Sequence, residues 1–357
     1  MSGNDERLTK LLLELCAMPC VTGDEGPIAD WLADRYARRG DMTMRIGNSV
    51  VSAPGEDEED ERPTVLLVGH VDVVPPTDED RVARVEGDRI VGRGTSDMKA
   101  GLAVVMDAFE DDDLRQGAYR LVLVAYAGEE GPHEGNELRD VLQAVPGLTQ
   151  ASLAIIAEPT DLEVQLGCMG AMHAEVTFRG QAAHSARPWH GDNALTKAGQ
   201  WLTSWRDRDP VEVMVDDLVY REVTNPTQAW TDSARNVIPG SFTVNVNYRF
   251  APDKSLEQAE VALAEQIGDV GEIVVTDRAP ACPPSRSAPL VEAFIDAAGA
   301  TVAPKQAWTD VARFAEVGVP ALNYGPGLTA QAHQAGEYVP RANLLPARQT
   351  IGRFLSG

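Results

Sequence analysis

Three short, unbroken apolar runs, each followed by a histidine or an acid, constrain this chain more than any other feature. Thr64-Val-Leu-Leu-Val-Gly-His70 ends on an imidazole. Arg120–Ala125 leads through Tyr126–Gly128 to Glu129-Glu130, and Leu153–Ala157 stops at Glu158. A strand with one wet face alternates polar and apolar residues, whereas a run apolar on both sides of the pleat needs cover on both faces. Parallel strands obtain that cover from crossover helices, and the sequence supplies helical patterns over Met98–Phe109 and from about Asn136. Leu8, Leu11, Leu12, Leu15 and Cys16, then Ile28, Leu32 and Tyr36 after Pro27, predict two further helices at the start. The expected class is α/β, with a mostly parallel mixed sheet flanked by helices. Arg81–Glu86 and Arg89–Gly92 around Gly87-Asp88 predict a hairpin, and the acidic run Gly55–Arg62 a solvated loop.

The texture changes between about His173 and Ala281. Phe242, Val244, Val246, Tyr248 and Phe250 alternate with Thr243, Asn245, Asn247 and Arg249, the pattern of a half-exposed antiparallel strand. Helices are expected from Asn193 to about Arg206 and from Ser255 to Ile267, the latter opened by a Ser255–Gln258 capping box. Helix–strand alternation returns over Ala288–Ala298, Pro320–Tyr324 and Ala342–Leu355. One domain is therefore expected inside another: residues 173–281 as an inserted α+β domain, residues 1–172 and 282–357 as a discontinuous host. Ala279-Pro-Ala-Cys-Pro-Pro284 would be the return linker.

A length of 357 residues suits two domains, at roughly 100–200 residues each. The net charge of −24 repels phosphate backbones, so nucleic-acid binding is disfavoured. No apolar stretch approaches the roughly 20 residues that span a bilayer. Asp5, Glu6 and Arg7 precede Leu11–Leu13, which is not a signal-peptide pattern. The four cysteines, Cys16, Cys20, Cys168 and Cys282, fit no disulfide framework at this length. A reduced, cytoplasmic protein with no membrane or nucleic-acid partner is expected.

In open α/β sheets ligands gather at the carboxyl ends of the strands. There the chain places His70, Glu129, Glu130 and Glu158, with Asp97 after a Gly92–Ser96 loop and His333 past the last strand. His70 and Asp72 point to one side of an extended segment, so Asp72 can orient the imidazole while its other nitrogen binds a metal. Each residue has an ordinary alternative: Asp97 a helix N-cap, His70 a hydrogen-bonded strand-end histidine, Glu129-Glu130 surface charge. Their recurrence at successive strand ends of one sheet outweighs those alternatives. Histidine and carboxylate donors without thiolate suit zinc or related divalent ions, and paired ions of that kind serve hydrolysis.

His70-Val-Asp72, Gly94-Thr-Ser-Asp97-Met-Lys99-Ala-Gly101, Gly128-Glu-Glu130, Ala157-Glu158-Pro-Thr160, Gly180-Gln-Ala-Ala-His184-Ser and Ala332-His333 occur in the order of the dizinc aminoacylase/carboxypeptidase metallopeptidase family. The chain resembles that family over essentially its whole length. It is most similar to the actinobacterial succinyl-diaminopimelate desuccinylases through Ala183–Ala194, Arg235–Pro239, Asn247–Asp253 and Trp308–Phe314. The resemblance implies a zinc-peptidase-like catalytic domain and a ferredoxin-like inserted domain that dimerises. It implies two Zn(2+) per subunit, with Co(2+) or Mn(2+) tolerated. Asp97 would bridge the ions, His70 and Glu158 completing one shell, Glu130 and His333 the other. Glu129 would be the general base, and the peptide after Asp97 would be cis. His184 would reach the partner subunit's site in a homodimer to steady the oxyanion. Asn236 and Arg249, joined by Thr309 and Arg313, would contact the substrate.

The implied reaction is hydrolysis of N-succinyl-LL-2,6-diaminopimelate, a step toward lysine and cell-wall precursors. N-acetylornithine deacetylase, another acyl-amino-acid deacylase and a zinc carboxypeptidase are the alternatives within the family. Two departures bear on substrate: Gly167-Cys-Met-Gly170 replaces a segment that carries a substrate-gripping arginine in proteobacterial desuccinylases, and Thr329 replaces an asparagine. A non-catalytic binding protein that kept the fold would have lost ligand positions, and none is lost here.

Overall fold

The computed structural model describes residues 3–55 and 60–357, so residues 56–59 of the acidic run lie outside it. Two compact units result. The first takes the chain up to Gly167 together with Ser285–Ala303 and Asp310–Gly357, the second Cys168–Pro284 with Pro304–Thr309. Among the described residues no helix is long and apolar enough to cross a membrane.

The first unit is built on an eight-stranded mixed sheet. Its order is Met42–Ile46, Ser49–Ala53, Arg120–Tyr126, Thr64–His70, Leu153–Ile156, Ala321–Asn323, Val164–Leu166 and Val302–Pro304. The three apolar runs are adjacent and parallel at its centre, and Ala321–Asn323 continues the parallel set. Val65–Val68 and Leu121–Ala125 are buried, which explains why the sequence shows no alternation there. Helix Ala100–Phe109, buried along its full length, packs on the Thr64–His70 and Arg120–Tyr126 strands. Helices Gly3–Ala17 and Leu344–Leu355 pack against it in turn.

One expected helix is shortened. The pattern predicts Met98–Phe109, but regular helix starts only at Ala100. Ahead of it stands a wide turn, Thr95–Lys99, in which Asp97 and Met98 leave helical backbone values and the Asp97–Met98 peptide is cis. Gly101 explains how closely this end approaches the sheet: a Cβ built there would lie 1.8 Å from the Ala157 carbonyl oxygen. Arg84–Glu86 and Arg89–Val91 pair as the expected hairpin.

The second unit is a five-stranded antiparallel sheet, ordered Val211–Val215, Leu218–Trp230, Ser241–Phe250, Gly170–Arg179, Glu272–Ala279. Helices Ala194–Ser204 and Leu256–Ile267 cover one face. Ala194, Ala198, Trp201, Leu263 and Ile267 close a core over Met172, Val176, Val244, Val246 and Tyr248. The Ser255–Gln258 capping box opens the second helix, and Asn193 caps the first through the N–H groups of Leu195 and Thr196. Asn245, Asn247 and Arg249 stand on the wetter face.

Candidate metal centre

His70, Asp97, Glu129, Glu130, Glu158 and His333 come together in the first unit. His70 closes its strand fully buried. Its Nδ1 lies 3.1 Å from the carbonyl oxygen of Asp72, which can only accept, so Nδ1 carries the proton of that bond. Nε2 is the ring atom turned inward, 3.3 Å from Asp97 Oδ1 and 4.0 Å from Glu158 Oε1. The other Asp97 oxygen, Oδ2, lies 3.8 Å from Nε2 of His333. That nitrogen is 2.7 Å from Glu130 Oε2. Asp97 therefore divides its two oxygens between two histidines, each accompanied by a glutamate.

The triads His70–Asp97–Glu158 and Asp97–Glu130–His333 each gather their donor atoms within 4.8 Å of one another, and His70–Glu129–Glu130 forms a third such group. Neutral imidazole nitrogens and carboxylate oxygens are the donors that borderline divalent ions take. The set fits a pair of such ions sharing Asp97. Buried acids crowded this closely are costly unless cations compensate them.

Asp72 organises the pair Glu129-Glu130 by their backbone. Its Oδ1 accepts the N–H of Glu129 at 3.1 Å, and its Oδ2 accepts the N–H of Glu130 at 3.0 Å and the hydroxyl of Thr22 at 2.9 Å. Gly128, at φ +79°, makes the tight turn that brings both glutamates back over the strand end. Burial pushes the Glu129 carboxyl well above the ordinary range; His70 pulls against it, while Glu158, Glu130 and Asp310 push the same way. Burial alone would lower the His70 pKa, but Asp72 and Asp97 outweigh it and hold it well above 6.5. His333 is raised by its hydrogen bond to Glu130.

Behind the centre lies a polar network that sequence reasoning missed. Asp310, fully buried, accepts the Tyr126 hydroxyl at 2.7 Å and the Asn136 amide at 2.9 Å, and pairs with Arg313 Nε at 3.0 Å. Arg313 also donates to the His133 carbonyl oxygen at 2.5 Å. This expected substrate residue is thus buried and engaged with Asp310 and His133. The only sequence signal for Asp310 was its place inside the Trp308–Phe314 segment.

The remaining expected site residues belong to the second unit. The Ser185 N–H donates to the Asn236 carbonyl at 2.9 Å, and Ala183-His184 pairs with Val237-Ile238, so His184 and Asn236 are neighbours. Both are exposed. The Ala186 N–H donates to His184 Nδ1 at 3.1 Å, leaving Nε2 as the ring's own N–H donor. Arg249, half-buried, donates from Nε to Asn247 Oδ1 at 3.2 Å, and Thr309 is 1% exposed.

The model of peptidase family M20/M25/M40 matches residues 66–357. A Mycobacterium tuberculosis protein provisionally named succinyl-diaminopimelate desuccinylase is 35% identical, the match covering 100% of this chain and 99% of that one. The Corynebacterium glutamicum succinyl-diaminopimelate desuccinylase is 34% identical, over 98% of this chain and 95% of its own. Among solved structures, a Staphylococcus aureus tripeptidase superposes with a TM-score of 0.78 at 18% identity, covering 99% of this chain and 98% of that one.

Proposed function

The chain belongs to peptidase family M20/M25/M40, and on that premise we propose that it hydrolyses N-succinyl-LL-2,6-diaminopimelate to succinate and LL-2,6-diaminopimelate. The observation that carries the reading is Asp97, whose two oxygens face His70 and His333, with Glu129 held beside them. Full-length identity to two proteins bearing the desuccinylase name supports the choice of substrate.

His70, Asp97 and Glu158 would hold one divalent ion and Asp97, Glu130 and His333 the other; zinc suits these donors, with cobalt or manganese as substitutes. Such ions, when bound, lower the pKa of water and polarise an amide carbonyl. Glu129 accepts the proton released as water attacks and delivers it to the departing amine. Proton transfer of this kind needs a carboxyl held beside the reacting water, the place Glu129 takes next to the two triads. Asp72 keeps Glu129 and the His70 ring in register. His184 offers its Nε2–H to the oxyanion, supplied to the other protomer of a homodimer built through residues 173–281. Asn236 and Arg249 contact the substrate's carboxylates or the oxyanion; Thr309 and Arg313, the other two expected contacts, are both buried.

A protein of net charge −24 repels a polycarboxylate at long range, so binding depends on these local cations. The test is a side-by-side assay of the zinc-reconstituted protein on N-succinyl-LL-diaminopimelate, N-acetylornithine, N-acetyl-lysine and short dipeptides. Strong preference for the succinylated substrate is expected. Preference for N-acetylornithine or a dipeptide would overturn the substrate and keep the hydrolytic centre.

A further inference from the structure

Four residues beyond His333, the side chain of Glu337 is 1% exposed, and its carboxylate is aimed into the turn that presents Asp97. Oε1 accepts the N–H of Ser96 at 2.7 Å and of Asp97 at 3.0 Å. Oε2 accepts the N–H of Gly94 at 2.9 Å and the Arg93 guanidinium at 3.0 Å. The Glu337 carbonyl takes the Gly92 N–H at 2.9 Å, so both its backbone and its side chain grip the same loop. N–H groups converging in a turn form a concave anion site, which other proteins fill with phosphate. Here the chain fills it with its own carboxylate.

The arrangement is specific to this turn. Gly94 sits at φ +80°, and a Cβ there would fall 2.5 Å from Val73 Cγ1, so the loop reaches Glu337 only with glycine at that position. Arg93 is held on its far side by Asp80 at 3.1 Å, and Asp80 accepts the N–H groups of Thr77 and Gly336 at 2.7 and 3.1 Å. Gly336 before Glu337 is thereby tied to the loop, and after it the Tyr338 carbonyl accepts the Ser96 hydroxyl at 2.8 Å.

We infer that Glu337 is a positioning residue of the metal centre, holding the Gly94–Asp97 backbone in its ligand-presenting shape before any ion binds. It also couples the His333 segment to that turn, so that Asp97 and His333, two of the three ligands of one triad, move together. This rests on the metal-centre reading above, not on the identity of the substrate.

Hydrogen exchange on the wild-type chain, chelated and zinc-loaded, tests it. The amides of Gly94, Ser96 and Asp97 should already be protected in the chelated protein. Free exchange there, with protection appearing only on zinc addition, would overturn the inference. Glu337→Gln keeps the shape but turns an N–H₂ toward backbone N–H groups. It should weaken zinc binding roughly 10–100-fold, as loss of a supporting partner of a ligand does, and speed exchange at the three amides. Glu222→Gln, which alters a buried carboxylate of the second unit, should leave zinc affinity unchanged and so controls for general destabilisation. Unchanged zinc affinity in folded Glu337→Gln would also overturn it; if that variant fails to fold, the wild-type exchange decides. Normal zinc binding without desuccinylase turnover would count against the proposed function alone.

Discussion

Asp72 holds Glu129 by its backbone, the Glu129 N–H donating to Asp72 Oδ1 at 3.1 Å. The same carboxylate takes the N–H of Glu130 at 3.0 Å, so one buried acid sets the directions of two adjacent glutamates assigned different work. Asp72→Asn keeps the volume but replaces one acceptor with a donor, leaving one of those N–H groups unmatched. We expect kcat to fall about 10–100-fold, measured on samples whose zinc content is determined in parallel. Wild-type kcat at full zinc content would contradict the assignment.

Glu129→Gln separates proton transfer from ion binding, because Glu129 is not a member of either triad that shares Asp97. The expected result is a kcat lower by about 10²–10⁴-fold with unchanged zinc stoichiometry. Loss of zinc in step with activity would make Glu129 a ligand instead of a base.

Much of this centre was legible in the sequence for a simple physical reason. An apolar run that stops on a histidine or glutamate leaves a polar group at a sheet's carboxyl edge, and His70, Glu129-Glu130 and Glu158 are three such stops. The parallel central strands followed from the same runs. What could not be read was pairing over long separations. Spacing does not say that the two Asp97 oxygens face different histidines. Nothing in the residues around Glu337 says that its partners are backbone N–H groups more than 200 positions earlier. Asp310 escaped notice because a buried acid is explained only by its donors, here Tyr126, Asn136 and Arg313. The helix start was misplaced because Met98 is in helical step with Leu102, Val105 and Phe109, while the backbone turns aside at Asp97–Met98.

The Cys16 and Cys282 thiols should react slowly in the folded chain. Burial pushes the Cys16 thiol up to about 12, against a smaller pull from Lys99, and burial also raises Cys282. The thiolate is the reactive form, so its fraction at pH 8 is negligible and grows only as pH approaches 12. Peptide-resolved alkylation should label Cys16 slowly at pH 8 and readily after denaturation. Cys16 is partly exposed, so rapid labelling of the native chain at pH 8 would contradict a raised thiol.

If His184 serves the other protomer, two inactive variants should complement each other. Mixing Glu129→Gln with His184→Ala should restore a fraction of wild-type turnover through hybrid dimers, since one of their two sites holds both intact residues. Subunit exchange is verified by mass spectrometry of the mixed sample. Verified exchange without recovered turnover would assign His184 to its own subunit or to no catalytic role.

The sharing of Asp97 is tested most directly by zinc titration of the chelated protein, followed by calorimetry and by metal analysis after desalting. Two zinc ions per wild-type chain are expected, with loss of affinity at both positions in Asp97→Asn, because that residue belongs to both triads. A single zinc per wild-type chain, or an Asp97→Asn chain that still binds two with undiminished affinity, would contradict it.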